Sequence, residues 1–79
     1  MSVSVIGAGS WGTALAQMLA SGGHDVRIWA RKPEVCEGIN SNHRNPHYLT
    51  SATLSDSIRA YSDYAQALHG AEAVVVVTP

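Results

Sequence analysis

Val3-Ser4-Val5-Ile6-Gly7-Ala8-Gly9-Ser10-Trp11-Gly12-Thr13-Ala14-Leu15-Ala16 is the stretch whose reading decides the fold. A short β-branched run, Val3 to Ile6, predicts a strand buried on both faces and central in its sheet. Three glycines follow at once. Beyond them Trp11, Ala14, Leu15, Met18 and Leu19 recur at three- and four-residue steps, the stripe of a helix with one face on a sheet. Gly22 and Gly23 stop that helix. Val26 to Trp29, flanked by Asp25 and Arg31, predicts a second strand. Strand, glycine turn, helix and strand make a βαβ unit, whose crossover is right-handed.

Gly7, Gly9 and Gly12 match the spacing G-x-G-x-x-G, with a strand before them and a helix after, which is the context that gives the pattern meaning. Gly7 permits a tight turn. Gly9 lets backbone approach a pyrophosphate with no Cβ in the way, and Gly12 lets the helix pack close to the strand. The N–H groups at the helix start, near Ser10 and Trp11, then meet phosphate oxygens. The alternative is a flexible loop in which three of the seven glycines share this spacing without a ligand.

The end of the second strand bears on which dinucleotide. A carboxylate about 20 residues past the glycines grips a ribose 2′-hydroxyl in NAD binders. Here the neighbourhood holds Arg31 and Lys32, with no carboxylate before Glu34. Guanidinium and ammonium groups suit a 2′-phosphate, so NADP is the preferred cofactor and NAD a possible one. Against this stands the plain reading of a solvated basic pair after a strand.

Farther on the signals are weaker. Pro33 opens a short helix through Glu34, Glu37 and Ile39. From Asn40 to Ser57 the chain is rich in Asn, Ser, Thr and His with Pro46, which predicts loop. Ile58 to Tyr61 reads as a third strand. Asp63 caps a helix from Tyr64 to His69, with Gln66 as reciprocal partner and Gly70 as stop. Ala73 to Val77 is the clearest strand. The fold class is therefore α/β, the first half of a Rossmann-type doubly wound parallel sheet in the order 3-2-1-4. The sequence stops at Pro79, where the fourth strand gives out, and Val74 to Val77 would form a bare apolar edge. The expectation is that residues 1–79 are the N-terminal part of a dinucleotide-binding domain, the remainder lying outside this chain.

Composition narrows the classes of function. With 46% apolar and 14% charged residues the chain is globular rather than disordered. A formal charge of −1 gives no case for nucleic acid or an anionic membrane surface. Ala73 to Val77 is the longest apolar run, far short of the ~20 residues of a span, and nothing at the N-terminus resembles a leader, so the expectation is cytoplasmic. Cys36 is the lone cysteine and reads as a helix packing residue. His24, His43, His47 and His69 include one pair four apart, but Pro46 argues against a helix face there and no carboxylate completes a set. No metal is expected, and no catalytic residue among them.

The sequence resembles the N-terminal end of the bacterial-type NAD(P)-dependent glycerol-3-phosphate dehydrogenases. The resemblance rests on Val5 to Ala16, with Ser10-Trp11 inside the glycine motif, on Trp29 with Arg31, on Ile39-Asn40, and on Asn45-Pro46-His47-Tyr48-Leu49. It covers essentially the whole chain. It implies reduction of dihydroxyacetone phosphate to sn-glycerol 3-phosphate with NADH or NADPH, for glycerophospholipid synthesis, in a homodimer with a C-terminal helical substrate domain. It also implies that Ser10 and Trp11 lie at the pyrophosphate, that Arg31 and Lys32 meet the adenosine end, and that Tyr48 is a further cofactor-side residue. The catalytic lysines and the substrate-phosphate site would lie past residue 79, so the 79 residues alone would be inactive. Thr50-Ser51 stands where the family often has Pro-Gly, and Val77-Thr78-Pro79 where Ala-Val-Pro is common. Two alternatives stand beside it; Ser10-Trp11 and Asn45 to Leu49 weigh against the first, and only the chain past Pro79 separates the second. The first is another two-domain reductase, such as a hydroxyacyl-CoA or 6-phosphogluconate dehydrogenase or a ketopantoate reductase. The second is a non-catalytic dinucleotide sensor.

Overall fold

β1 (Ser2–Ile6) sits between two parallel neighbours in a computed structural model that describes residues 1–77. It is followed by α1 (Ser10–Ser21), β2 (Asp25–Trp29), α2 (Pro33–Glu37), a π-helical turn over Gly38–Asn42, β3 (Arg59–Tyr61), α3 (Tyr64–Leu68) and β4 (Ala73–Val76). The sheet order is β3-β2-β1-β4 with every pairing parallel, as the sequence predicts. In register, Val5 lies between Ile28 and Val75, and Ser4 between Arg27 and Val74.

Strand alternation assigns the two faces. Val5, Val26 and Ile28 share one face with Ala16 of α1, Val35 of α2 and Ile39, and this is the core. Ser4, Arg27 and Trp29 share the other, where each bonds the chain around α3. The Ser4 hydroxyl donates to the Ala67 carbonyl, Arg27 to the Gln66 carbonyl, and the Trp29 indole N–H to the Ser62 carbonyl. Polar residues in the strands thus tie down a helix of only five residues that has little apolar surface to hold it.

Four local expectations need correction. The buried face of α1 is Gly12, Thr13 and Ala16, with Leu15 and Leu19 half-buried, whereas Trp11, Ala14 and Met18 are exposed. The apolar residues mark a stripe, but close approach of the helix to β1 selects the small ones. The helix begun at Pro33 does not stop at Ile39, and the loop does not begin at Asn40. The chain widens into the π turn through Asn42, closed by His43 in the left-handed region at φ 56°. The π turn fits its neighbours, because a Cβ on Gly38 would meet the Arg44 carbonyl and the Pro46 ring at 2.7 Å. The α3 cap is made by Asp63, whose carboxylate accepts from Ala65 N–H at 2.8 Å. Gln66 offers its carbonyl to Arg27, and among the described residues its side chain does not reach back to Asp63. Finally, β3 begins at Arg59, with Ile58 buried beside it.

β4 is an edge strand, and Val74 and Val76 are 50% and 67% exposed on the face that α3 shares. At the opposite edge β3 is shielded. The Asn40 amide donates to the Ala60 carbonyl at 2.9 Å and accepts from Ala60 N–H at 2.8 Å, occupying both groups as another strand would. Asn40→Ala is expected to cost about 1–2 kcal/mol, because two hydrogen bonds go and the edge turns to solvent. Urea unfolding of the full-length protein with and without the substitution measures this. An unchanged midpoint would show that the edge is held by other means.

Candidate functional site

The C-terminal ends of β1 and β2 open into a cleft of about 700 Å³. At its floor is the turn from β1 to α1. Gly7 has φ +124°, and its N–H donates to the Trp29 carbonyl at 3.1 Å. A Cβ there would strike the Val77 carbonyl, and one on Gly12 would strike the Gly7 carbonyl. Those two glycines are required by packing. Gly9 is different: its φ is an ordinary −75°, and a Cβ would meet nothing within 4 Å. Its bare Cα borders the cleft.

Helix α1 starts directly on this turn. The first helical hydrogen bond runs from Thr13 N–H to the Gly9 carbonyl at 2.9 Å, so the N–H groups of Ser10, Trp11 and Gly12 have no acceptor within the helix. No side chain caps the end, and no acidic residue stands in its first turn. The result is an open helix N-terminus of twelve residues' dipole facing a cleft, an arrangement that favours an anion.

All eight residues singled out in the sequence border this one cleft: Gly7, Gly9, Ser10, Trp11, Gly12, Arg31, Lys32 and Tyr48. Trp11 stands 79% exposed at the rim rather than on the sheet. Arg31 and Lys32 lie exposed just past β2, and among the described residues neither is in an ion pair or a side-chain hydrogen bond. The sequence reading did not include Trp29 and Tyr64, whose rings stack with centroids 4.3 Å apart at 9° along another wall. A stack between the end of one strand and the start of the helix after the next has no sequence signature.

The second omission is Asn45. Its side chain is fully buried and donates to the Ala8 carbonyl and to Thr13 Oγ1, both at 2.9 Å. Its Oδ1 accepts from His47 and Tyr48 N–H, at 2.9 and 3.0 Å. Asn followed by Pro marks a turn in which the Asn side chain bonds the backbone two residues on, and that much was legible. The link to the glycine turn was not.

His47 has one carboxylate neighbour: its Nε2 lies 3.4 Å from Glu34 Oε2. The backbone N–H of Glu34 first, and His47 second, hold the Glu34 carboxyl below the usual carboxylate range. The pair is exposed and pins the loop to α2. Among the described residues, no group of three His, Cys, Asp or Glu side chains comes together. Cys36 packs half-buried against the core with Sγ 3.7 Å from the Ala30 carbonyl, and burial pushes its thiol pKa up, away from nucleophilic use. No helix among the described residues is long and apolar enough to cross a membrane.

A parallel 3-2-1-4 sheet whose glycine turn opens into a cleft beside a free helix N-terminus defines the first half of a Rossmann-type nucleotide-binding fold. The family model described as the NAD-dependent glycerol-3-phosphate dehydrogenase N-terminus matches residues 2–79, and the chain belongs to that family. It is 49% identical over 79 residues to glycerol-3-phosphate dehydrogenase (NAD(P)+) of Nitratidesulfovibrio vulgaris, covering all of this chain and 24% of that protein. It is 53% identical over 77 residues to the enzyme of the same name from Enterococcus faecalis, covering 98% of this chain and 23% of that one. Among solved structures, glycerol-3-phosphate dehydrogenase of Coxiella burnetii superposes with a TM-score of 0.88 at 33% identity, over 99% of this chain and 24% of that one. The Saccharomyces cerevisiae enzyme gives 0.90 at 30% identity, over 100% and 26%. The chain thus spans about a quarter of the length of the relatives it matches.

Proposed function

We propose that residues 1–79 form the cofactor-holding opening of an NAD(P)-dependent glycerol-3-phosphate dehydrogenase, which interconverts dihydroxyacetone phosphate and sn-glycerol 3-phosphate. In this reading the rest of the dinucleotide-binding domain, and the domain that holds the phosphorylated substrate, follow in a longer cytoplasmic protein that works as a homodimer. The observation that carries the reading is Gly9. Gly7 and Gly12 are explained by packing, but the space over Gly9 is empty and faces the free N–H groups of α1. At the N-cap of α1, where glycine is also a favoured residue, a bare backbone leaves another molecule room to come close.

When bound, NAD(P)H supplies the hydride that reduces the substrate carbonyl. The residues of this chain bind and orient. Gly9, Ser10 and Trp11 present backbone N–H groups to the pyrophosphate. Arg31 and Lys32 hold the 2′-phosphate of NADPH, the preferred cofactor, with Tyr48 on the same side. The Nitratidesulfovibrio vulgaris and Enterococcus faecalis relatives carry both cofactors in their names, NAD(P)+, and the preference for NADPH rests on Arg31 and Lys32.

The test is titration of the full-length protein with NADPH and NADH, followed by an assay of dihydroxyacetone phosphate reduction. Saturable binding with turnover is expected, tighter for NADPH. Binding without turnover would favour a dinucleotide sensor, and no binding would overturn the reading of the cleft.

A further inference from the structure

Tyr48 borders the cleft, yet among the described residues its hydroxyl bonds nothing, and the nearest ring, that of His47, is tilted with its centroid 6.5 Å away. What holds Tyr48 acts on its backbone. Its N–H donates to Asn45 Oδ1, as does that of His47, and the same Asn45 side chain donates through Nδ2 to the Ala8 carbonyl and to Thr13 Oγ1. One amide thereby uses both donors and both acceptor sites. Two bonds go to the loop that carries Tyr48, one to the glycine turn and one to the first turn of α1. Leu49, directly after Tyr48, is held at φ 55°, a left-handed conformation that a leucine keeps only where its surroundings impose it.

We infer that Asn45 is a positioning residue that locks the Tyr48 loop onto the glycine turn, so that both walls of the cleft meet a dinucleotide as one preorganised body. Its contribution to binding passes through Tyr48. The inference rests on the dinucleotide reading of the cleft. It also explains why an amide stands there. A carboxylate at this position would set oxygen against the Ala8 carbonyl and bury a charge, and an apolar residue would release Tyr48 and leave the His47 and Tyr48 N–H groups without their acceptor. Freed, the loop would have to be ordered again each time ligand binds, and that ordering weakens affinity.

The experiment is a double-mutant cycle on the full-length protein, read as the NADPH dissociation constant from nicotinamide fluorescence. Asn45→Ala and Tyr48→Ala are each expected to weaken binding about 10-fold, and the double variant to stay within about 2-fold of Tyr48→Ala alone. A merely structural asparagine would give effects that multiply to about 100-fold, and that result overturns the inference. Thr13→Val keeps the shape of residue 13 while removing one partner of Asn45, together with the hydroxyl's own 3.3 Å bond to the Ala8 carbonyl, and decides the matter if Asn45→Ala fails to fold. It is expected to weaken binding about 3-fold in the native background and not at all beside Tyr48→Ala. An equal effect in both backgrounds overturns the inference. If the unsubstituted protein binds no dinucleotide, the reading of the cleft falls first. Binding without coupling removes only the role of Asn45.

Discussion

Gly9→Val in the full-length protein is expected to weaken NADPH binding by about 100-fold, roughly 2.7 kcal/mol, while leaving the fold intact. Both halves follow from the backbone. Gly9 has φ −75° and ψ −168°, extended values that valine adopts without strain, and a Cβ meets nothing within 4 Å. The native protein therefore has room for a Cβ there, but a pyrophosphate against this backbone does not. Gly12→Ala is the internal control. There the added Cβ would run into the Gly7 carbonyl, and α1 would have to lift away from β1, costing about 3 kcal/mol or more. Urea unfolding and NADPH titration on the two variants separate the roles: Gly9→Val should lose affinity at constant stability, and Gly12→Ala stability first. Unchanged affinity in Gly9→Val would remove the ligand from the space above that residue.

That contrast also marks what the sequence could and could not disclose. The spacing of Gly7, Gly9 and Gly12 between a β-branched run and a helical stripe was enough for the turn, the crossover and the sheet order, because each rests on local chemistry and chain handedness. Which face of α1 is buried was legible only at Gly12, through the close helix–strand approach of the glycine motif. Amphipathic periodicity ranks residues by hydrophobicity, whereas a helix lying close on a strand selects for small size, and so Gly12, Thr13 and Ala16 displace Trp11 and Met18. The π turn at Gly38–Asn42 was hidden for a related reason. It is set by the Arg44 carbonyl and Pro46 packing against a glycine, contacts made only after the loop folds back. Asn40 and Asn45 stood among residues whose composition says loop. Each instead bonds backbone that is distant in sequence, Asn40 the N–H and carbonyl of Ala60 on β3 and Asn45 the Ala8 carbonyl in the glycine turn. Polar residues that build structure look like polar residues that face water until their partners are known.

Neutralising Arg31 and Lys32 together, as Arg31→Ala with Lys32→Ala, is expected to lower the ratio of kcat/KM for NADPH over NADH by about 100-fold. A 2′-phosphate carries close to two negative charges, and two charge-assisted hydrogen bonds contribute about 1.5–3 kcal/mol each where solvent is excluded. Both side chains are exposed here, so screening by water and salt removes a large part of that sum and leaves roughly 2.7 kcal/mol, the stated factor. NADH lacks the phosphate, so its kcat/KM should change little. The same reasoning sets a second observable, a steep fall of NADPH affinity with ionic strength in the native protein that flattens in the double variant. The geometry leaves these cations available: among the described residues neither is in an ion pair, and the nearest carboxylate in sequence, Glu34, pairs with His47. Glu34 is not among the residues that border the cleft, whereas Arg31 and Lys32 are, so the edge past β2 is lined by cations. If both cofactors lose equally, the pair serves the adenine or the general field of the cleft, and the chain discriminates at the 2′ position by some other group.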